Sequence, residues 1–138
     1  AYSLLKPVEG AIVNVSSVHA VQTSADIASY AASKGALLAF TRALAIEFAE
    51  DNIRVNTILP GAVDTPMLDA GLSRGHAKGK TLSDKKADLA KRTVLGRVGT
   101  PEEIAKAIYF LADNEQSSFI TGQPLIVDGG ATIRLSTE

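Results

Sequence analysis

Apolar positions along the chain fall into two rhythms. Ala11-Ile12-Val13-Asn14-Val15-Ser16 follows Gly10 as a short β-branched run, and such a run predicts a buried strand. Ile53 to Leu59 predicts a second strand, stopped by Pro60-Gly61, and Leu125-Ile126-Val127 a third, closed by Asp128-Gly129-Gly130. The helical rhythm takes over from Ser29 to Glu50, where Leu37, Thr41, Leu44 and Phe48 recur at three- and four-residue spacing. Leu38, Ala45 and Ala49 add a second stripe beside the first. An apolar face this wide implies cover on two sides, by the helix's own sheet and by a partner subunit. Asp51-Asn52 ends that helix.

Ser17 to Ser29 is mixed and polar, and reads as a loop. Met67 to Gly99 has weak periodicity and several glycines and lysines, which predicts short helices in an excursion from the sheet. Thr100-Pro101-Glu102-Glu103 is a helix start, with Thr as N-cap, Pro at the first position and Glu at the third. Ile104, Ala107, Ile108 and Leu111 form its buried stripe. Strand, helix, strand, helix, strand in this order predicts an α/β fold with crossover connections and a parallel sheet of three strands.

Composition narrows the function. The sequence has 138 residues, 46% of them apolar and 21% charged, as in a globular domain with a real core. A formal net charge of −1 offers no general attraction for nucleic acid or an anionic membrane. No apolar run approaches the roughly 18 residues that span a bilayer. The sequence has no cysteine, which removes disulfides, thiolate metal sites and thiol catalysis, and is compatible with a reducing cytoplasm. His19 and His76 alone offer imidazole, and nothing beside either makes a ligand set, so no metal site is expected.

The candidate chemistry gathers at the predicted strand ends. Tyr30 and Lys34 lie four apart and share one helix face. Ser17 follows the first strand, and Pro60-Gly61 and Asp128-Gly129 follow the other two. Open parallel sheets bind ligands at that rim.

These residues carry a resemblance. Val13-Asn14-Val15-Ser16-Ser17, Tyr30-Ala31-Ala32-Ser33-Lys34, Ile53-Arg54-Val55-Asn56 and Pro60-Gly61-Ala62-Val63-Asp64-Thr65 resemble the short-chain dehydrogenases/reductases in order and spacing. Gly96-Arg97-Val98-Gly99 with Pro101-Glu102-Glu103, and Thr121-Gly122-Gln123 with Val127-Asp128-Gly129-Gly130, extend the match over almost the whole chain. Ser17-Val18-His19 and Tyr30 to Gly35 are similar, more thinly, to the sugar (glucose) dehydrogenase branch.

The resemblance implies the C-terminal, catalytic part of a Rossmann-type doubly wound parallel sheet. It implies an oxidoreductase that moves a hydride between NAD or NADP and an alcohol or carbonyl. Ser17 would steady the substrate oxygen, with Ser16 left as the strand-end cap. Tyr30 would be the general acid/base and would also line the cofactor with Lys34, which would hold the nicotinamide ribose beside it. A free phenol ionises near pH 10, so a phenol base benefits from a neighbouring cation. A positive charge about 6 Å away at an effective dielectric near 20 is worth ~3 kcal/mol.

Pro60, Gly61, Val63 and Thr65 match the family's nicotinamide cradle, with backbone near Val63 on the carboxamide and the Thr65 hydroxyl assisting. A turn closing a strand explains Pro60-Gly61 but not Thr65. Residues 67–99 would be the substrate lid. From Asp69 to Gly99, eight basic residues against three acidic give +5, read as a solvated helix surface ahead of an anionic-substrate contact. The helix at 29–50 would join subunits of a homo-oligomer, and Asn56 and Asp128 would be structural.

Three look-alikes are set aside. Arg74 to Thr81 imitates a phosphate loop, but Arg74 stands at the first glycine position and no strand precedes it. Asn14-Val15-Ser16 fits a glycosylation triplet inside a predicted buried strand. His19 is read as a loop residue at the site mouth.

The glycines contain no G-x-x-x-G-x-G, and no Asn-Asn-Ala-Gly turn occurs. The family places pyrophosphate and adenine binding there, so residues 1–138 are expected to form one partial domain without the N-terminal cofactor-binding half. The Ala11–Ser16 strand is interior in the family, so other polypeptide is expected to cover its outer edge. The runner-up reading is a truncated, catalytically inactive relative that serves as an assembly or binding module.

Overall fold

Every residue from Arg54 to Leu59 is buried, and that strand organises the rest. A computed structural model describes residues 1–74 and 78–134. His76, together with Gly75 and Ala77 of the phosphate-loop look-alike, lies outside the described residues.

In chain order the elements are α1 (Tyr2–Leu5), β1 (Ala11–Val15), α2 (Ala28–Glu47), β2 (Arg54–Pro60), α3 (Pro66–Leu72), α4 (Leu82–Lys91), α5 (Pro101–Ala112), α6 (Asn114–Ser117) and β3 (Pro124–Val127). Short 3-10 turns at Lys6–Val8, Val18–Ala20 and Ala49–Asp51 link them. The strands form a parallel sheet in the order β1-β2-β3, with Ile12 beside Val55 and Ile58 beside Leu125. This is the predicted α/β architecture.

Alternation along β2 places its two layers. Val55 joins Ala45 of α2 and Ile53 in the main apolar cluster, with Leu5, Ile12, Leu44 and Phe48 packed against it. Arg54 points the other way, where its guanidinium donates to Leu111 O of α5 at 2.9 Å. The helices α2 and α5 therefore cover opposite faces. Arg54 also donates to Asn114 Oδ1 at 2.7 and 2.9 Å and to Ile120 O at 3.3 Å. It satisfies carbonyls left open at the C-terminal end of α5.

Thr100 and Glu103 form the expected capping box at the start of α5. Two departures from expectation exceed a single residue. The helix predicted over 29–50 stops at Glu47, because Ala49–Asp51 tighten into a 3-10 turn that Asn52 closes in the left-handed region, φ 54°. Residues 17–29 contain a 3-10 turn rather than loop alone. β1 is an edge strand, and Val15 near its end is 46% exposed. Among the described residues no helix is long and apolar enough to cross a membrane, and no cluster of metal-ligating side chains occurs.

Candidate active site

Parallel pairing brings the C-terminal ends of all three strands to one rim, as the sequence pattern predicts. Tyr30 and Lys34 stand on the first turns of α2, one turn apart on the same face. Two reciprocal ties fix that face to the end of β1. Lys34 Nζ donates to Val15 O at 3.1 Å, and Ser16 Oγ donates to Lys34 O at 2.8 Å. The Lys34 ammonium also lies 5.7 Å from the centroid of the Tyr30 ring. Further along, Asn14 Nδ2 donates to Thr41 Oγ1 at 2.9 Å, and Thr41 Oγ1 donates to Leu37 O at 2.8 Å.

The cap expected of Ser16 falls to its neighbour. Ser17, not Ser16, is the cap: its Oγ accepts from His19 N at 3.2 Å and starts the Val18–Ala20 turn. Ser16 instead joins β1 to α2. Capping uses a lone pair of Ser17, so its O–H remains able to donate. Ser17 is 6% exposed and Tyr30 39%, so the hydroxyl is sheltered and the phenol open. His19, set aside as a loop residue, packs its ring edge-on to Tyr30 with centroids 5.8 Å apart, and its Nδ1 lies 3.2 Å from Thr23 Oγ1. A T-shaped ring pair fixes orientation as well as contact.

The second half of the predicted set follows β2. Gly61 N donates to Val127 O at 3.0 Å, and a Cβ added at Gly61 would sit 2.8 Å from Asp128 Cβ and 2.9 Å from its Cα. Only glycine lets the ends of β2 and β3 approach this closely.

Val63 pairs in parallel with Gly99 through its neighbours: Gly99 N donates to Ala62 O and Asp64 N to Gly99 O, both at 2.9 Å. The Val63 N–H and C=O therefore face away from Gly99. Thr65, which a strand-closing turn left unexplained, is the N-cap of α3. Its Oγ1 accepts from Leu68 N at 3.2 Å and donates to Val63 O at 3.3 Å, and Pro66 takes the first helical position. No hydrogen bond or ring contact among the described residues joins Val63 or Thr65 to Ser17, Tyr30 or Lys34. The two groups occupy neighbouring strand ends.

Structural roles account for Asn56 and Asp128. Asn56 Nδ2 donates to Ile120 O at 2.7 Å and its Oδ1 accepts from Gln123 N at 3.0 Å. Asp128 accepts from Gly130 N, Thr132 N and Thr132 Oγ1, each at 2.8 Å. Burial opposes ionisation of this carboxyl, but those donors win and hold it below the usual carboxylate range. Three of the eight basic residues of 69–99 form ion pairs among the described residues. Lys86 meets Asp64 and Asp69, Arg92 meets Asp88, and Arg97 meets Glu103.

The donor set suits a nicotinamide riboside. Lys34 uses one of its three N–H donors on Val15 O, leaving others for a diol. Backbone at Val63 offers a donor beside an acceptor, the pair an amide group requires.

Comparison with known proteins gives the family and the fold. A family model described as enoyl-(acyl carrier protein) reductase matches residues 1–132. The chain is 48% identical over 128 residues to a 3-oxoacyl-[acyl-carrier-protein] reductase of Chlamydia muridarum, covering 92% of this chain and 47% of that protein. Ligand-free aldohexose dehydrogenase of Thermoplasma acidophilum superposes with a TM-score of 0.83 at 35% identity, over 91% of this chain and 49% of that one. A short-chain dehydrogenase/reductase of unknown function from Caenorhabditis elegans, solved with cofactor, gives 0.81 at 38% identity, over 96% and 49%. The chain spans about half the length of the curated relatives it matches.

Proposed function

The chain belongs to the short-chain dehydrogenase/reductase family, and from that premise we propose that it provides the chemical end of an oxidoreductase site. The reaction is hydride transfer between NAD or NADP and a small alcohol or carbonyl, and solved relatives hold NADP in one case and NADH in another. The observation that carries the reading is Lys34, tied to β1 and lying beside the Tyr30 phenol at the strand-end rim.

When bound, the nicotinamide supplies or receives the hydride. Tyr30, exposed at the rim, exchanges the proton with the substrate oxygen as general acid or base. Lys34 holds the ribose and keeps a positive charge beside the phenol. Ser17 donates its O–H to the same substrate oxygen, its position set by the cap on His19 N. Gly61 and Pro60 bring the β2 end to the cofactor, Val63 backbone receives the carboxamide, and Thr65 holds that loop in place as it caps α3. The helices α3 and α4 of the lid stretch cover the substrate.

The outer face of α2 leaves Phe40 52% and Ile46 78% exposed, which supports a homo-oligomer formed through this helix. A cysteine-free sequence fits a cytoplasmic setting. Titration with NADH and NADPH, followed by a panel of carbonyls, tests the reading on the protein as its source makes it. Binding of one nucleotide and reduction of at least one carbonyl is expected. Failure of both would leave the runner-up, an inactive assembly or binding module.

A further inference from the structure

The helix α3 is two turns long, and Leu72 is its one fully buried side chain, whereas Met67 is 77% exposed. A helix this short is marginal on its own, so tertiary contacts must hold it. Two consecutive lysines of α4 reach its opposite ends.

Lys86 Nζ lies 2.6 Å from Asp64 Oδ1, just before the N-cap, and 2.7 Å from Asp69 Oδ1 in the first turn. Lys85 Nζ donates to Leu72 O at 2.7 Å, at the last residue of α3. Carbonyls at a helix C-terminus lack intrahelical partners, and the helix dipole favours a cation there. Neighbouring residues on a helix point about 100° apart, which lets adjacent lysines diverge to separate targets.

The Lys86 contact is more than a surface pairing. Asp69 Oδ1 is sealed from solvent and meets the ammonium off the hydrogen-bonding angle, so charge is what satisfies it. The carboxylates of Asp64, first, and Asp69 hold the Lys86 ammonium above its usual range. Lys86 is 24% exposed at its side chain, so solvent screens it only in part.

We infer that Lys85 and Lys86 form a two-point clamp that fixes α3, and with it the Val63–Thr65 loop, to α4. The two helices then move as one body. Lys86 is a positioning residue that acts through Asp64 and the capped Thr65, not a group that touches substrate. The clamp stands on these contacts; its consequence for a nicotinamide held at Val63–Thr65 rests on the oxidoreductase reading.

Residue-resolved amide hydrogen exchange on this chain, without cofactor or substrate, tests it. Lys86→Met is expected to speed exchange of the Leu68 and Asp69 amides by roughly three- to tenfold, with a smaller change at Ser73. Lys85→Met is expected to act in the opposite order, most strongly at Ser73, whose N–H donates to Asp69 O. Asp69→Asn removes one of the two Lys86 contacts without altering α4, leaves the Asp64 contact in place, and should reproduce the Lys86→Met pattern in part. Sodium chloride at 1 M, where screening acts over about 3 Å, should reproduce part of it in the unaltered chain.

Uniform acceleration across α3 and α5 in every variant, or none in any, would overturn the clamp. Either result leaves Tyr30 chemistry untouched, and an absence of redox activity would leave the clamp standing.

Discussion

Lys34 carries its ammonium to within 5.7 Å of the Tyr30 ring centroid while donating to Val15 O, so a single charge joins the phenol to the end of β1. Lys34→Met removes both relations and the proposed ribose contact. Nucleotide affinity and turnover should fall together, affinity by about ten- to a hundredfold, the worth of a charge-assisted hydrogen bond. Isothermal titration beside steady-state kinetics checks this. Unchanged affinity would move the cofactor contact elsewhere.

Gly61 carries a steric prediction. A methyl group there collides with Asp128 at both Cβ and Cα, and backbone cannot swing aside as a side chain can. Gly61→Ala should cost about 1–3 kcal/mol in urea unfolding, the usual range for overpacking.

Arg54 is a buried cation that donates to Leu111 O and Ala112 O at the end of α5, to Ile120 O and to Asn114 Oδ1. Burial lowers its pKa, but a guanidinium remains charged. Arg54→Met should destabilise the chain by about 2–4 kcal/mol, because those carbonyls lose their donor inside the protein. Arg54→Lys should restore little of it, since an ammonium cannot reproduce the planar fork.

Acid sensitivity follows from Glu103. The Arg97 guanidinium, first, and the Thr100 N–H draw its carboxyl down from the ordinary 4.5 to about 2. A carboxyl depressed in the folded state stabilises fully above its unfolded pKa, and that stabilisation is lost as pH falls through the folded value. The window is therefore from about pH 4.5 down to about 2. Glu103→Gln keeps an acceptor for the capping box but does not titrate. Its thermal midpoint should be lower at neutral pH and flatter across that window. Parallel curves for the two proteins would rule this origin out.

Much of this was legible in the sequence because strands and helix starts are local. The β-branched runs marked β1 and β2 to within one residue, and Thr100-Pro101 with Glu103 announced the cap of α5. The same Thr-Pro signature at Thr65-Pro66 marks the start of α3.

Other features depend on where the chain returns. Which of Ser16 and Ser17 caps a turn is decided by the approach of α2, not by their order. The contact of His19 with Tyr30 joins a 3-10 turn to a helix eleven positions on and leaves no periodic trace. Arg54 reads as a solvated charge until α5 and α6 close over it, and Lys86 is 22 residues from Asp64.

In the proposed reaction the Tyr30 phenol moves the proton while Lys34 and the loop after β2 hold the cofactor. The most direct measurement compares single-turnover NAD(P)H oxidation with NAD(P)H affinity for Tyr30→Phe in the protein as its source produces it. Turnover is expected to be lower by about 10²- to 10⁴-fold, the usual contribution of a positioned acid/base, with affinity within about twofold of the unaltered protein. Turnover that survives the loss of the hydroxyl would contradict the proposed reaction.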